Sequence, residues 1–160
     1  MRIRKKKSYF ERIQGAPEPI ITEIRRRVRF SEVDPMGVVW YGRYSLYFEE
    51  ASEAIGKLCG LSYRDFLAAE LRTPIVAFHV DYFKPLFLDE EFTIKAALIW
   101  HEGACLNTEY HLLKQDGNLA VSGYTVQLFV DQGTWGVCLV SPDILEQCRR
   151  RWKAGEFRCQ

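Results

Sequence analysis

From Tyr44 the apolar positions fall at Tyr44, Tyr47, Phe48, Ala51, Ala54, Ile55 and Leu58. This i, i+3, i+4, i+7 spacing predicts a helix with one apolar face. Gly60, just beyond Cys59, suits the left-handed residue that ends such a helix. The opposite face carries Ser45, Glu49, Glu50, Ser52, Glu53 and Lys57, so it is polar or turned toward a partner. Upstream, Val28 and Phe30 flank Arg29 with the period-2 alternation of a half-buried strand. Across Ser31 to Gly37 that alternation stops, and Asp34-Pro35 and Gly37 predict a turn before a helix that starts near Gly42.

Downstream, Ser62 and Asp65 have the spacing of a capping box and predict a short helix to about Glu70. From Thr73 the pattern changes to strands. Val76, Phe78, Val80 and Tyr82 alternate with Ile75, Ala77, His79, Asp81 and Phe83. Phe92, Ile94, Ala96, Leu98 and Trp100 share one face of the next segment, Leu106, Thr108, Tyr110 and Leu112 one face of the third, and Tyr124, Val126, Leu128 and Val130 one face of the fourth. Short connections at Leu88 to Glu90, His101 to Gly103 and Asp116-Gly117 suit antiparallel neighbours. Gly136 to Val140 reads as a short closing strand. Ser141 and Pro142 have the N-cap and first-position chemistry of a last helix, with Ile144, Leu145, Cys148 and Trp152 as its apolar stripe and Arg149, Arg150, Arg151 and Lys153 in its later turns. The predicted architecture is α+β, a long central helix on an antiparallel β-sheet with a C-terminal helix.

With 160 residues, 48% hydrophobic and 14% aromatic, the chain has apolar material for one core and no room for a second domain. Residues 1–20 read as a basic N-terminal arm, with Arg2, Arg4, Lys5, Lys6 and Lys7 followed by Gly15, Ala16, Pro17 and Pro19; residues 21–160 read as the single domain. The basic cluster is either a solvated end or a contact for nucleic acid or acidic lipid. A net charge of +1 argues against a general attraction to nucleic acid, and no apolar run is long enough for membrane insertion. The basic start MRIRKKKSYF is followed by ERIQGAPEP rather than an apolar signal segment, so a cytoplasmic location is expected. The five cysteines, 59, 105, 138, 148 and 159, form no C-x-x-C pair and read as reduced thiols, some of them core filler.

The chemistry-bearing candidate is Asp34, a turn ahead of the helix. A helix start near Gly42 leaves backbone N–H groups free to hold a developing oxyanion. A carboxylate beside such a start is a layout for acyl transfer; the competing reading is an Asx-turn ahead of Pro35. His79, His101 and His111 are scattered without ligand spacing, so neither a metal nor another cofactor is expected. No G-x-S-x-G elbow and no Gly-rich phosphate loop is present. Asp81 and Lys84 read as an ordinary surface pair.

The run D-P-M-G-V-V-W-Y-G-R-Y followed by F-E-E-A resembles the signature of the 4-hydroxybenzoyl-CoA thioesterase family of hotdog-fold proteins. The resemblance extends from Arg25 to about Gln147. It implies a hotdog fold and an acyl-CoA thioesterase for a small aryl- or fatty-acyl group, working as a homodimer or homotetramer. Asp34 would be nucleophile or general base and the Tyr41 backbone amide the oxyanion donor, with Gly37, Val39, Trp40 and Tyr44 binding substrate. Many relatives carry His at the Tyr41 position and Asn at the Arg43 position. Arg43 either meets an acid group on a substrate or reaches solvent. Glu49 matches the F-E of the family helix, where one branch places a catalytic carboxylate; with Asp34 present it reads as a polar-face or dimer-contact residue. An acyl-carrier-protein thioester as substrate and a non-catalytic acyl-thioester binder remain alternatives. A hotdog hydratase would need His near Val39 and Trp40.

Overall fold

Five strands form one antiparallel sheet in the computed structural model, which describes residues 8–158. In chain order they are β1 (Ile20–Arg27), β3 (Ile75–Tyr82), β4 (Glu91–Ile99), β5 (Cys105–Lys114) and β6 (Leu119–Leu128), and they lie side by side as β1-β4-β5-β6-β3. A small second ladder joins β2 (Leu71–Arg72) to β7 (Val130–Asp131). Helix α1 (Tyr44–Cys59) crosses one sheet face, followed by α2 (Tyr63–Ala68); α3 (Asp143–Lys153) ends the chain's regular structure. The basic cluster Arg2 to Lys7 and Cys159 lie outside the described residues.

Period-2 patterning decides which sheet face is the core. Phe92, Ile94, Ala96 and Leu98 of β4, Leu106, Tyr110 and Leu112 of β5 and Val121 of β6 point at α1 and are buried. Tyr47, Phe48, Ala51, Ile55 and Cys59 of α1 meet them. Phe48 stacks on Tyr110 with ring centroids 4.2 Å apart. That approach requires glycine at 123, where a Cβ would lie 2.2 Å from the His79 carbonyl oxygen and 2.7 Å from the Phe48 ring. Gly60 ends α1 at φ 77°, in the left-handed conformation its position predicts. The Ser62–Asp65 capping box also forms.

Several expectations change. Val28 to Phe30 is not strand: β1 ends at Arg27, Val28 is buried, and Phe30 opens a 3-10 turn, Phe30–Glu32, with its ring 82% exposed. The long helix begins with a separate 3-10 turn, Tyr41–Arg43. Cys59 rather than Leu58 completes its buried stripe, because the face rotates by about 100° per residue. Gly136 to Val140 makes only an isolated bridge, Val137 to Val130. In α3 the N-cap is Pro142 without a side-chain cap; Ser141 Oγ instead accepts a hydrogen bond from Arg149 at 2.6 Å. Arg149 is buried, donating also to the His101 and Gly103 carbonyls, so it ties α3 to the β4–β5 turn. Asp81 pairs with His79 at 3.0 Å and accepts from the Tyr9 hydroxyl at 2.6 Å.

The N-terminal residues Ser8 to Phe10 lie against the sheet face opposite α1. Glu109, 5% exposed, accepts the backbone N–H groups of Tyr9 (2.6 Å) and Phe10 (3.1 Å). Cys59 and Cys148 are free and buried, as core filler, and Cys105 and Cys138 are free and half-buried. Among the described residues, no helix is long and apolar enough to cross a membrane, and no cluster of His, Cys, Asp or Glu is placed to hold a metal ion.

Candidate active site

The segment between β1 and α1 is a small hairpin. Val33 and Val39 bridge, the Asp34 amide donates to the Val38 carbonyl at 2.9 Å, and the Gly37 amide returns to the Asp34 carbonyl at 2.9 Å. Gly37 turns the chain at φ 77°. Asp34 Oδ1 accepts from the Met36 amide at 2.8 Å, so the Asx-turn read from Asp-Pro is formed. Among the described residues no hydrogen bond reaches its second oxygen, Oδ2, and the half-buried side chain lines neither of the two cavities described below. The hairpin is fastened from outside by the Val39 amide to the Leu86 carbonyl at 2.9 Å and the Leu88 amide to the Gly37 carbonyl at 3.0 Å.

At its far end the Trp40 amide donates to the Glu32 carbonyl at 3.0 Å, and the chain turns into the helix. Tyr41 is the first residue of that 3-10 turn, so its N–H has no acceptor within the helix. A cavity of about 290 Å³ opens beside it, lined among others by Val39, Tyr44, Tyr82 and Lys84. Trp40 lies outside that lining, its ring tilted against Tyr41 with centroids 4.9 Å apart, and Gly37 shapes the turn rather than the wall. The Tyr82 hydroxyl donates to the Tyr41 carbonyl at 3.3 Å, and its ring meets Tyr44 at 5.3 Å. Burial pushes the Tyr44 hydroxyl up to about 12, with Tyr82 and Glu90 adding to the effect.

A larger cavity, about 450 Å³, lies between α1, α2 and the sheet. Phe48, Phe66 and Phe78 supply aromatic walls and Glu49 stands at its α1 side. Its floor is polar: the buried Tyr110 and Thr125 hydroxyls hydrogen-bond at 3.0 Å beside Thr108. Both cavities run along β3. That edge strand exposes Ile75, Val76, Phe78 and Tyr82 and pairs only with β6 among the described residues. Period-2 alternation had identified these residues as strand but carried no sign that the strand is an outer one. Glu32, Tyr82 and Lys84 were missed as neighbours of the site because the contacts that matter to them come from distant segments.

The Thioesterase-like superfamily model matches residues 28–148, which spans the hairpin, α1, the sheet strands after β1 and the first half of α3. YneP of Bacillus subtilis (strain 168), named as a proposed acyl-CoA thioesterase, is 27% identical over 105 residues, 66% of this chain and 76% of that protein. The 1,4-dihydroxy-2-naphthoyl-CoA hydrolase of Rippkaea orientalis is 27% identical over 101 residues, 62% of this chain and 70% of that one. A solved DHNA-CoA thioesterase from Staphylococcus aureus superposes with a TM-score of 0.75 at 23% identity, covering 88% of this chain and 97% of its own, and establishes the hotdog fold. By the extent of the family match and this shared architecture, the chain belongs to the Thioesterase-like superfamily.

Proposed function

We propose that the protein is a thioester hydrolase acting on acyl-CoA, of the 4-hydroxybenzoyl-CoA thioesterase type. Asp34 is the nucleophile or general base, and the Tyr41 amide holds the oxyanion. The observation that carries this reading is the Tyr41 N–H, unclaimed by the helix and placed at a cavity that Val39 and Tyr44 also line. A preorganised donor of this kind stabilises an acyl-transfer transition state by about 3 kcal/mol. Asp34 either attacks the thioester carbon, expelling CoA thiolate and leaving a mixed anhydride for water to cleave, or removes the proton from an attacking water. Gly37 sets the hairpin that presents Asp34, and Trp40 backs Tyr41. The named acyl-CoA relatives support the substrate class.

The 450 Å³ cavity is the proposed acyl slot. Its aromatic walls and hydroxyl floor favour an aromatic acyl group bearing a hydroxyl over a plain alkyl chain, since an alkyl end would leave the floor's spare acceptors without a donor. The exposed apolar edge of β3 favours a second copy of the chain as its partner, giving a homodimer or a dimer-based homotetramer that closes both cavities.

The test is thiol release from a panel of aryl- and fatty-acyl-CoA substrates and acyl-carrier-protein thioesters. The expected result is turnover of acyl-CoA that Asp34→Asn reduces at least a hundredfold with the fold intact. An Asp34→Asn enzyme keeping a tenth of wild-type activity refutes the Asp34 assignment. Binding of acyl-CoA without thiol release makes the protein a receptor instead.

A further inference from the structure

Glu32 is an acidic side chain buried to 8% exposure at the end of the 3-10 turn, and its contacts reach β1 and α1 as well as the start of its own turn. Its Oε1 accepts from Arg26 of β1 at 2.9 Å. Its Oε2 accepts from the Arg29 backbone amide at 2.8 Å and from the Tyr47 hydroxyl of α1 at 2.8 Å. Its own carbonyl accepts the Trp40 amide, one residue before Tyr41. Arg26 goes on to Glu50, in the second turn of α1, and lies over the Tyr47 ring at 5.4 Å.

A carboxylate taken this far out of water is stable only when its lone pairs are occupied, so all of these donors are held in one arrangement. The arrangement has a direction. Asp34 follows Glu32 by two residues and Tyr41 follows Trp40 by one, so both ends of the hairpin hang from Glu32, one covalently and one through its carbonyl. Tyr47 and Arg26 tie that same residue to the helix and to the edge strand of the sheet, the two rigid bodies that flank the site.

We infer that Glu32 is a positioning residue that sets the reach of Asp34 relative to the Tyr41 amide; the inference rests on the assignment of those two groups as the catalytic pair. Glu32 lines neither cavity, so it does not hold the acyl group. Glu32→Gln keeps the volume but presents an NH₂ group to one of the three donors that the two carboxylate oxygens accept. A displacement on the order of 1 Å between reacting groups costs about a hundredfold in rate. The expected phenotype is therefore a kcat lowered about 10- to 100-fold with KM within about twofold.

The experiment compares wild type, Glu32→Gln, Tyr47→Phe, Asp34→Asn and the Glu32→Gln/Asp34→Asn double variant on one acyl-CoA, with folded fraction read by near-UV circular dichroism. The inference expects Glu32→Gln to lower kcat alone at full folded fraction and to reduce the residual rate of Asp34→Asn by less than twofold, because the group it positions is already gone. Tyr47→Phe should show the same split in weaker form, and it decides the matter if Glu32→Gln does not fold. Wild-type kcat in the folded variants, a loss that scales with folded fraction, or equal losses in both backgrounds overturns the inference. A fully active Asp34→Asn enzyme refutes the catalytic pair itself, a separate outcome.

Discussion

Tyr44 and Tyr47 stand side by side on α1, their rings 5.8 Å apart, and both hydroxyls sit where ionisation is disfavoured. Burial is the main cause in each case; for Tyr47 the Glu32 carboxylate that accepts its hydrogen bond adds to it. An acid whose folded value is raised binds more protons folded than unfolded between the two values, so stability falls with rising pH across that interval. For Tyr44 the interval runs from the ordinary 10.0 to about 12. Thermal melts should therefore hold steady up to about pH 10 and decline above it, by on the order of 2 kcal/mol from this group. Tyr44→Phe should flatten part of the decline, and an unchanged alkaline slope would contradict the shift. At this scale the sequence was legible where a residue acts through its neighbours in the chain. The Asp34 Asx-turn and the left-handed Gly60 formed as read. Glu32 was not legible, since its partners come from β1 and α1.

Among the elements, α1 and β6 show how a helix obtains its seat. The helix stripe was readable from its spacing, except that the buried face turns to Cys59 and leaves Leu58 45% exposed. Its docking height is set by Gly123, on a strand the helix never touches in sequence. Gly123→Ala should destabilise the protein by about 1–3 kcal/mol in a denaturant melt, since Phe48 and β3 must both shift to admit the methyl group. A change below about 0.5 kcal/mol would show that the seat is softer than the contact distances imply. The failed expectations have the same origin. Val28 to Phe30 alternates like strand, but the Val28 amide and carbonyl bond to the 89–90 turn and Phe30 turns outward. Ser141 has N-cap chemistry, but its hydroxyl is claimed by Arg149.

For the molecule as a whole, the proposed assembly turns on the β3 edge. Ile75, Val76 and Tyr82 are each more than half exposed on a strand that pairs only with β6 among the described residues, a pattern that favours pairing with a second copy. Val76→Asp places a charge on that edge without touching either cavity lining. Sedimentation equilibrium should then report the 18.7 kDa protomer where the wild type reports at least twice that mass, with thiol release falling alongside it. A wild-type chain that sediments as a monomer with full activity would overturn this. The sequence by itself determined the element types of most of the chain, the turn at Asp34 and a helix start near Gly42, because spacing and turn chemistry act over a few neighbours. Only the tertiary structure decided the strand order, the exposed edge, the two cavities and the buried Glu32 knot, because each depends on segments that are distant along the chain and meet only when the sheet closes over the helix.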